Sequence, residues 1–148
     1  DLQISINTNV LSNFVLVQEL KKYFYDRDSF IINISSIHSK LTKSKFLPYS
    51  FSKSALDGIS KAMAVELGEN LNIVSISPAA TDTDMLLDGL EDNKLIENLK
   101  HCHPTKTIGC PGDIANLVAF ILEKKIKFMN GSNISMDGGI SYQLHDVV

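Results

Sequence analysis

The chain has 148 residues, 44% hydrophobic and 21% charged, with a formal net charge of -3. That balance gives no basic footprint for nucleic acid and no pull toward anionic membrane surfaces, and no apolar run approaches the ~20 residues a membrane-spanning helix needs. Cys102 and Cys110 are too few for a disulfide framework, which fits a reducing cytoplasm.

The sequence begins at Asp1 and enters an amphipathic pattern at once, so it reads as the later part of a protein whose earlier part is not in it. Leu11, Phe14, Val15, Leu16 and Leu20 recur at helical spacings, which predicts a helix over residues 4–25, followed by a polar break at Asp26-Arg27-Asp28. Residues 30–36, Phe-Ile-Ile-Asn-Ile-Ser-Ser, are β-rich and apolar enough for a strand buried on both faces of a parallel sheet. A lysine-rich loop covers residues 37–47. Pro48 suits a helix start, the helix runs over 49–67, and Gly68 suits its stop. A second strand over 73–77 ends at Pro78, and a loop of small and hydroxyl residues follows to Asp84. Residues 85–100 predict two short helices or a mobile flap. Pro111-Gly112-Asp113 opens another helix, carried by Ile114, Leu117, Val118, Ile121 and Leu122. Residues 132–136 form a third strand, closed by Asp137-Gly138-Gly139. No repeat or low-complexity segment interrupts this order.

Strands alternating with helices predict an α/β fold: a doubly wound parallel sheet with helices on both faces, in one domain over residues 1–148. In such sheets ligands sit beyond the carboxyl ends of the strands. Ser36, Tyr49, Lys53 and the Pro78–Met85 loop all fall at that edge. Tyr49 and Lys53, at i and i+4, share one helix face. A lone phenol titrates near pH 10 and handles protons poorly at neutrality. An ammonium ~5 Å away, at an effective dielectric of ~20, favours a phenolate by about 3 kcal/mol. The pair therefore suits a tuned proton donor or acceptor, with Ser36 holding the substrate oxygen.

Together, Ile34-Ser35-Ser36, Tyr49-Ser50-Phe51-Ser52-Lys53, the Ser77–Met85 stretch SPAATDTDM and the Ser135–Gly139 stretch SMDGG resemble the short-chain dehydrogenase/reductase family, in its C-terminal catalytic portion. The resemblance implies a Rossmann-like, three-layer fold lacking its N-terminal βαβ units in this chain. It implies Tyr49 as general acid/base and as one of the cofactor-binding residues, Ser36 as its hydroxyl partner, and Lys53 as the residue that tunes Tyr49 and binds the nicotinamide ribose. It also implies Asn9 as the residue holding a water that links Lys53 to solvent. Pro78, Thr81 and Thr83 match the loop that holds the nicotinamide carboxamide and the phosphates. The implied cofactor is NAD or NADP, the substrate a small alcohol or carbonyl compound, and the assembly a homodimer or homotetramer through the helices at 4–25 and 49–67 and the last strand.

Two departures stand out. Ala79 replaces the glycine that usually follows the loop proline, and no Gly-rich phosphate-binding turn occurs in these residues. The 148 residues alone are therefore expected to bind dinucleotide poorly. The competing function is a truncated or inactive relative kept as a binding or assembly module. A metal site at His101-Cys102-His103 and Cys110 is disfavoured because neighbours in one stretch seldom reach one ion. A Ser36–histidine–Asp82 hydrolase is disfavoured because no Gly-x-Ser-x-Gly elbow is present. Lys40, Lys43 and Lys45 read as a solvated loop or as groups that meet an acidic substrate.

Overall fold

The structure, a computed structural model, describes residues 1–24, 29–87 and 93–144. Its centre is strand β2 (Leu71–Pro78), buried along its whole length. Strands β1 (Ser29–Ile34) and β3 (Asn133–Met136) flank it in the order β1-β2-β3, both parallel to it. Ile31 sits opposite Ile73 and Ile34 opposite Ile76 on one side, and Ile76 opposite Ile134 on the other.

Side chains alternate across this sheet, as the pleat requires. Leu71 and Ile73 pack on one face against Val17 of helix α2 (Ser12–Leu20) and Met63 and Ala64 of helix α3 (Leu47–Leu67). Val74 and Ile76 pack on the other against Ile121, Leu117 and Val118 of helix α6 (Pro111–Lys124). Helices cover both faces of a parallel sheet, so the chain is a three-layer, Rossmann-like α/β structure.

Several expectations need adjustment. The first helix starts at Leu2 rather than residue 4: α1 (Leu2–Ile6) runs through a π turn (Asn7–Leu11) into α2. The expected end at Tyr25 and the break at Asp26–Asp28 lie outside the described residues. Strand β1 ends at Ile34, two residues before Ser36, and it is half-buried rather than buried on both faces, with Ile34 44% exposed. Only β2 pairs with β1 among the described residues, so the full burial assumed for an inner strand is realised at β2 instead. Strand β2 extends beyond the expected range at both ends. The segment after Thr83 forms two short helices, α4 (Asp84–Leu87) and α5 (Asn93–Cys102).

Gly68 ends α3 with right-handed angles, φ -62 and ψ -12, so left-handed freedom is not its purpose. Space is. A Cβ there would stand 2.5 Å from the Ala64 carbonyl oxygen and 2.7 Å from Asn130 Nδ2. Asn130 ties the layers together: Nδ2 donates to Ala64 O at 2.8 Å and Oδ1 accepts from Ile73 N at 2.8 Å. No helix among the described residues is long and apolar enough to cross a membrane.

Candidate active site

The site is built at the carboxyl end of β1. Ser35 N donates to Ile76 O at 2.7 Å, so the chain is still held to β2 as it leaves the strand. Ser36 then takes an extended conformation and caps a short 3-10 helix (Ile37–Ser39), its Oγ accepting from His38 N at 3.1 Å. Ser36 is buried at this edge. It is not the last strand residue but the first cap beyond the strand.

Helix α3 brings Tyr49 and Lys53 to the same place. Lys53 Nζ donates to Ile34 O at 2.9 Å and lies 5.7 Å from the Tyr49 ring centroid. The cation is thus fixed between the phenol and the last carbonyl of β1. The Tyr49 ring packs edge-on against Phe46 and His38, each at 6.0 Å between centroids. His38, bonded through its backbone to Ser36, therefore joins the serine to the tyrosine.

Asn9 reaches the site through a residue that the sequence pattern alone did not single out. Its Nδ2 donates to Ser52 Oγ at 2.9 Å, and Ser52 Oγ donates to Tyr49 O at 2.8 Å. The π turn carries Asn9, and such one-residue insertions re-aim a side chain, often at functional sites. Ser52 is fully buried; the available signal was a small hydroxyl on the inner face of the Tyr-x-x-x-Lys turn.

Pro78 is the last residue of β2, paired with Met136. Beyond it Thr81 bridges Gly109, and its Oγ1 donates to Ala79 O at 3.1 Å. Thr83 Oγ1 donates to Thr81 O at 3.3 Å. Both hydroxyls spend their proton on their own loop and keep lone pairs to accept from a ligand. The loop leaves the carboxyl end of β2, next to the strand that presents Ser36 and the Ile34 carbonyl, so the Pro78–Thr83 positions and the Tyr49 group share one sheet edge. Of the groups weighed for other chemistries, Asp82, Cys102 and Cys110 are exposed while His103 is buried. Among the described residues no three His, Cys, Asp or Glu side chains are placed to hold a metal ion.

Burial holds Lys53 below the ordinary lysine value of 10.5, and Asp57 one turn on opposes that shift. Asp57 is itself buried, with Oδ2 accepting from Asn133 Nδ2 at 2.7 Å. Lys53 therefore binds its proton less tightly folded than unfolded. Between its lowered value and 10.5 the unfolded chain holds more protons, so stability rises with pH through that window. Urea unfolding should show the protein gaining on its Lys53→Met variant as pH rises from neutrality toward 10. A gap independent of pH would mean that Lys53 titrates like a free lysine.

The chain matches the family model described as Enoyl-(Acyl carrier protein) reductase over residues 1–141. It is 32% identical over 142 residues to a 3-oxoacyl-(acyl-carrier-protein) reductase of Rickettsia bellii, covering 95% of this chain and 58% of that protein. It is 30% identical over 138 residues to carbonyl reductase (NADPH) 2 of Sus scrofa, covering 91% and 57%. Among solved structures, a putative gluconate dehydrogenase from Agrobacterium tumefaciens superposes with a TM-score of 0.89 at 28% identity, covering 97% of this chain and 58% of that one. ElxO with NADP bound superposes with a TM-score of 0.86 at 26% identity, covering 97% and 59%. The chain thus spans less than two thirds of the length of these relatives. With the model matched along nearly its whole length and the Ser36, Tyr49 and Lys53 positions brought to one sheet edge, the chain belongs to the short-chain dehydrogenase/reductase family.

Proposed function

We propose that this chain carries the catalytic groups of an NAD(P)-dependent oxidoreductase that interconverts a small alcohol and its carbonyl compound. The observation that carries the reading is the placement of Lys53, bonded to Ile34 O and 5.7 Å from the Tyr49 ring, at the ligand edge of the sheet. Relatives with NADP and with NADH bound support a nicotinamide cofactor here.

The residues present suit the nicotinamide end of that cofactor. Thr81 and Thr83 offer acceptor lone pairs to a carboxamide, and the Lys53 ammonium keeps donors for a ribose hydroxyl beside its bond to Ile34 O. No Gly-rich turn for the pyrophosphate occurs in this sequence. When bound, the nicotinamide supplies or accepts the hydride. Tyr49 gives the carbonyl oxygen its proton in reduction and removes it in oxidation. Ser36 Oγ–H donates to the same oxygen while its lone pair holds His38 N. Lys53 favours negative charge on the phenol, and Asn9 braces the Tyr49–Lys53 turn through Ser52.

Exposed apolar side chains on the same helices, Val15 and Leu16 of α2 and Phe51 and Val65 of α3, support a homodimer or homotetramer. The direct test is nicotinamide fluorescence, following the complete gene product with NADH or NADPH and a panel of small ketones and aldehydes. Carbonyl-dependent oxidation is expected. Tight dinucleotide binding without turnover on any carbonyl would favour a binding module instead. The 148 residues by themselves are expected to bind dinucleotide more weakly than micromolar.

A further inference from the structure

The loop between Ser36 and α3 borders an open surface cavity of about 500 Å³. Its walls include Lys40, Lys43, Lys45 and His38, and no carboxylate. All three lysines are exposed, and the ion pairs among the described residues, Lys100–Glu97 and Lys124–Glu123, involve none of them. Lys43 Nζ lies 4.1 Å from the Phe46 ring centroid, a weak and replaceable partner for a cation. The loop itself is pinned. Thr42 Oγ1 and Ser50 Oγ are bonded at 2.8 Å, and Ser54 Oγ donates to Ser39 O at 2.7 Å. Three cations thus line one open space on a loop tied to α3 at two points, with no carboxylate among the lining residues to neutralise them.

We propose that this cavity is a binding site for a phosphate group. A phosphate monoester carries close to two negative charges at neutral pH and three strong acceptor oxygens, which matches three ammonium donors and the loop hydroxyls better than a single carboxylate does. The cavity also shares a wall with the catalytic edge. His38 lines it, and the His38 ring stands 6.0 Å from that of Tyr49. Ser50, another wall residue, follows Tyr49 directly. Neither Tyr49 nor Ser36 lines the cavity, so a substrate whose phosphate is held by the lysines would reach the Tyr49 face past His38. That second step rests on the oxidoreductase reading; the phosphate site does not.

The test titrates isotopically labelled protein with inorganic phosphate at constant ionic strength and follows the backbone amides of residues 38–45. The expected result is saturable shifts in the millimolar range, weakened about tenfold in the Lys40→Gln/Lys43→Gln/Lys45→Gln variant. Chloride moving the same amides equally, no saturation by ~50 mM, or unchanged binding in the variant would overturn the site. Should the triple variant misfold, Lys40→Gln and Lys45→Gln singly are each expected to weaken binding several-fold. A kinetic arm compares a phosphorylated ketone with its unphosphorylated counterpart. In the triple variant KM is expected to rise about tenfold for the first alone, with kcat unchanged. Phosphate binding with no such KM difference would overturn the substrate assignment. Absence of turnover on every ketone would instead remove the oxidoreductase reading and leave the phosphate titration standing.

Discussion

Tyr49→Phe is expected to lower kcat by about 10²–10⁴-fold while leaving the fold intact, because a positioned general acid contributes on that scale. The substitution is clean for a structural reason. The Tyr49 ring packs edge-on against Phe46 and His38, contacts that phenylalanine keeps. Its backbone carbonyl still accepts from Ser52, so the Asn9–Ser52 brace is unaffected. Only the phenolic hydroxyl is removed. The loss should fall on kcat and kcat/KM together, as for an interaction made only in the transition state. Lys53→Met should depress turnover too, but it also frees the Ile34 carbonyl and so acts on position as well as charge. Turnover persisting in Tyr49→Phe would take the phenol out of the chemistry and return the Tyr49–Lys53 pair to an ordinary side-chain contact.

The Tyr49–Lys53 pairing was legible because helical geometry puts i and i+4 on one face whatever the rest of the fold does. The strands were legible too, since Phe30–Ile34 and Ile73–Ile76 are runs that little else than a sheet accommodates. What escaped depended on partners far away in the chain. The bond from Lys53 to Ile34 O and the Asn130 tie between Ala64 and Ile73 join segments that no local pattern connects. The π turn at Asn7–Leu11 has no composition of its own; it is one residue more than an α-helix holds, and tertiary contacts decide where it goes. Ser36 was placed at a strand end because Ser35 and Ser36 continue the β-rich run. In the structure the ladder stops at Ile34, and the Ser36 hydroxyl does the more local work of capping the 3-10 turn. Gly68 looked like a left-handed stop; its angles are right-handed, and it is instead a point of close approach to the Ala64 carbonyl and Asn130.

The site depends on the central strand, and Ile76→Ala is expected to cost about 3–4 kcal/mol of unfolding free energy, within the range for emptying a large aliphatic from a tight core. Ile76 is 0% exposed, as are Val74 and Ile121 beside it. Its neighbours in register are Ile34 on β1 and Ile134 on β3, so strands on both sides limit how far the gap can collapse. Ile76→Val, which removes one methyl group, should cost only about 0.5–1.5 kcal/mol. Asn116→Ala, at an exposed position of α6, should change stability by less than ~0.5 kcal/mol. Urea or guanidinium unfolding with an unchanged m value reads these three as pure stability effects. The same residue also links core to chemistry, since its carbonyl holds Ser35 N just before the candidate serine. Alanine keeps that backbone bond but loosens the strand behind it, so Ile76→Ala should lower turnover at temperatures well below its own unfolding midpoint. A cost below ~1 kcal/mol for Ile76→Ala would mean that β2 is not the packed centre described here, and the rigid edge on which Ser36, Tyr49 and Lys53 are arranged would lose its support.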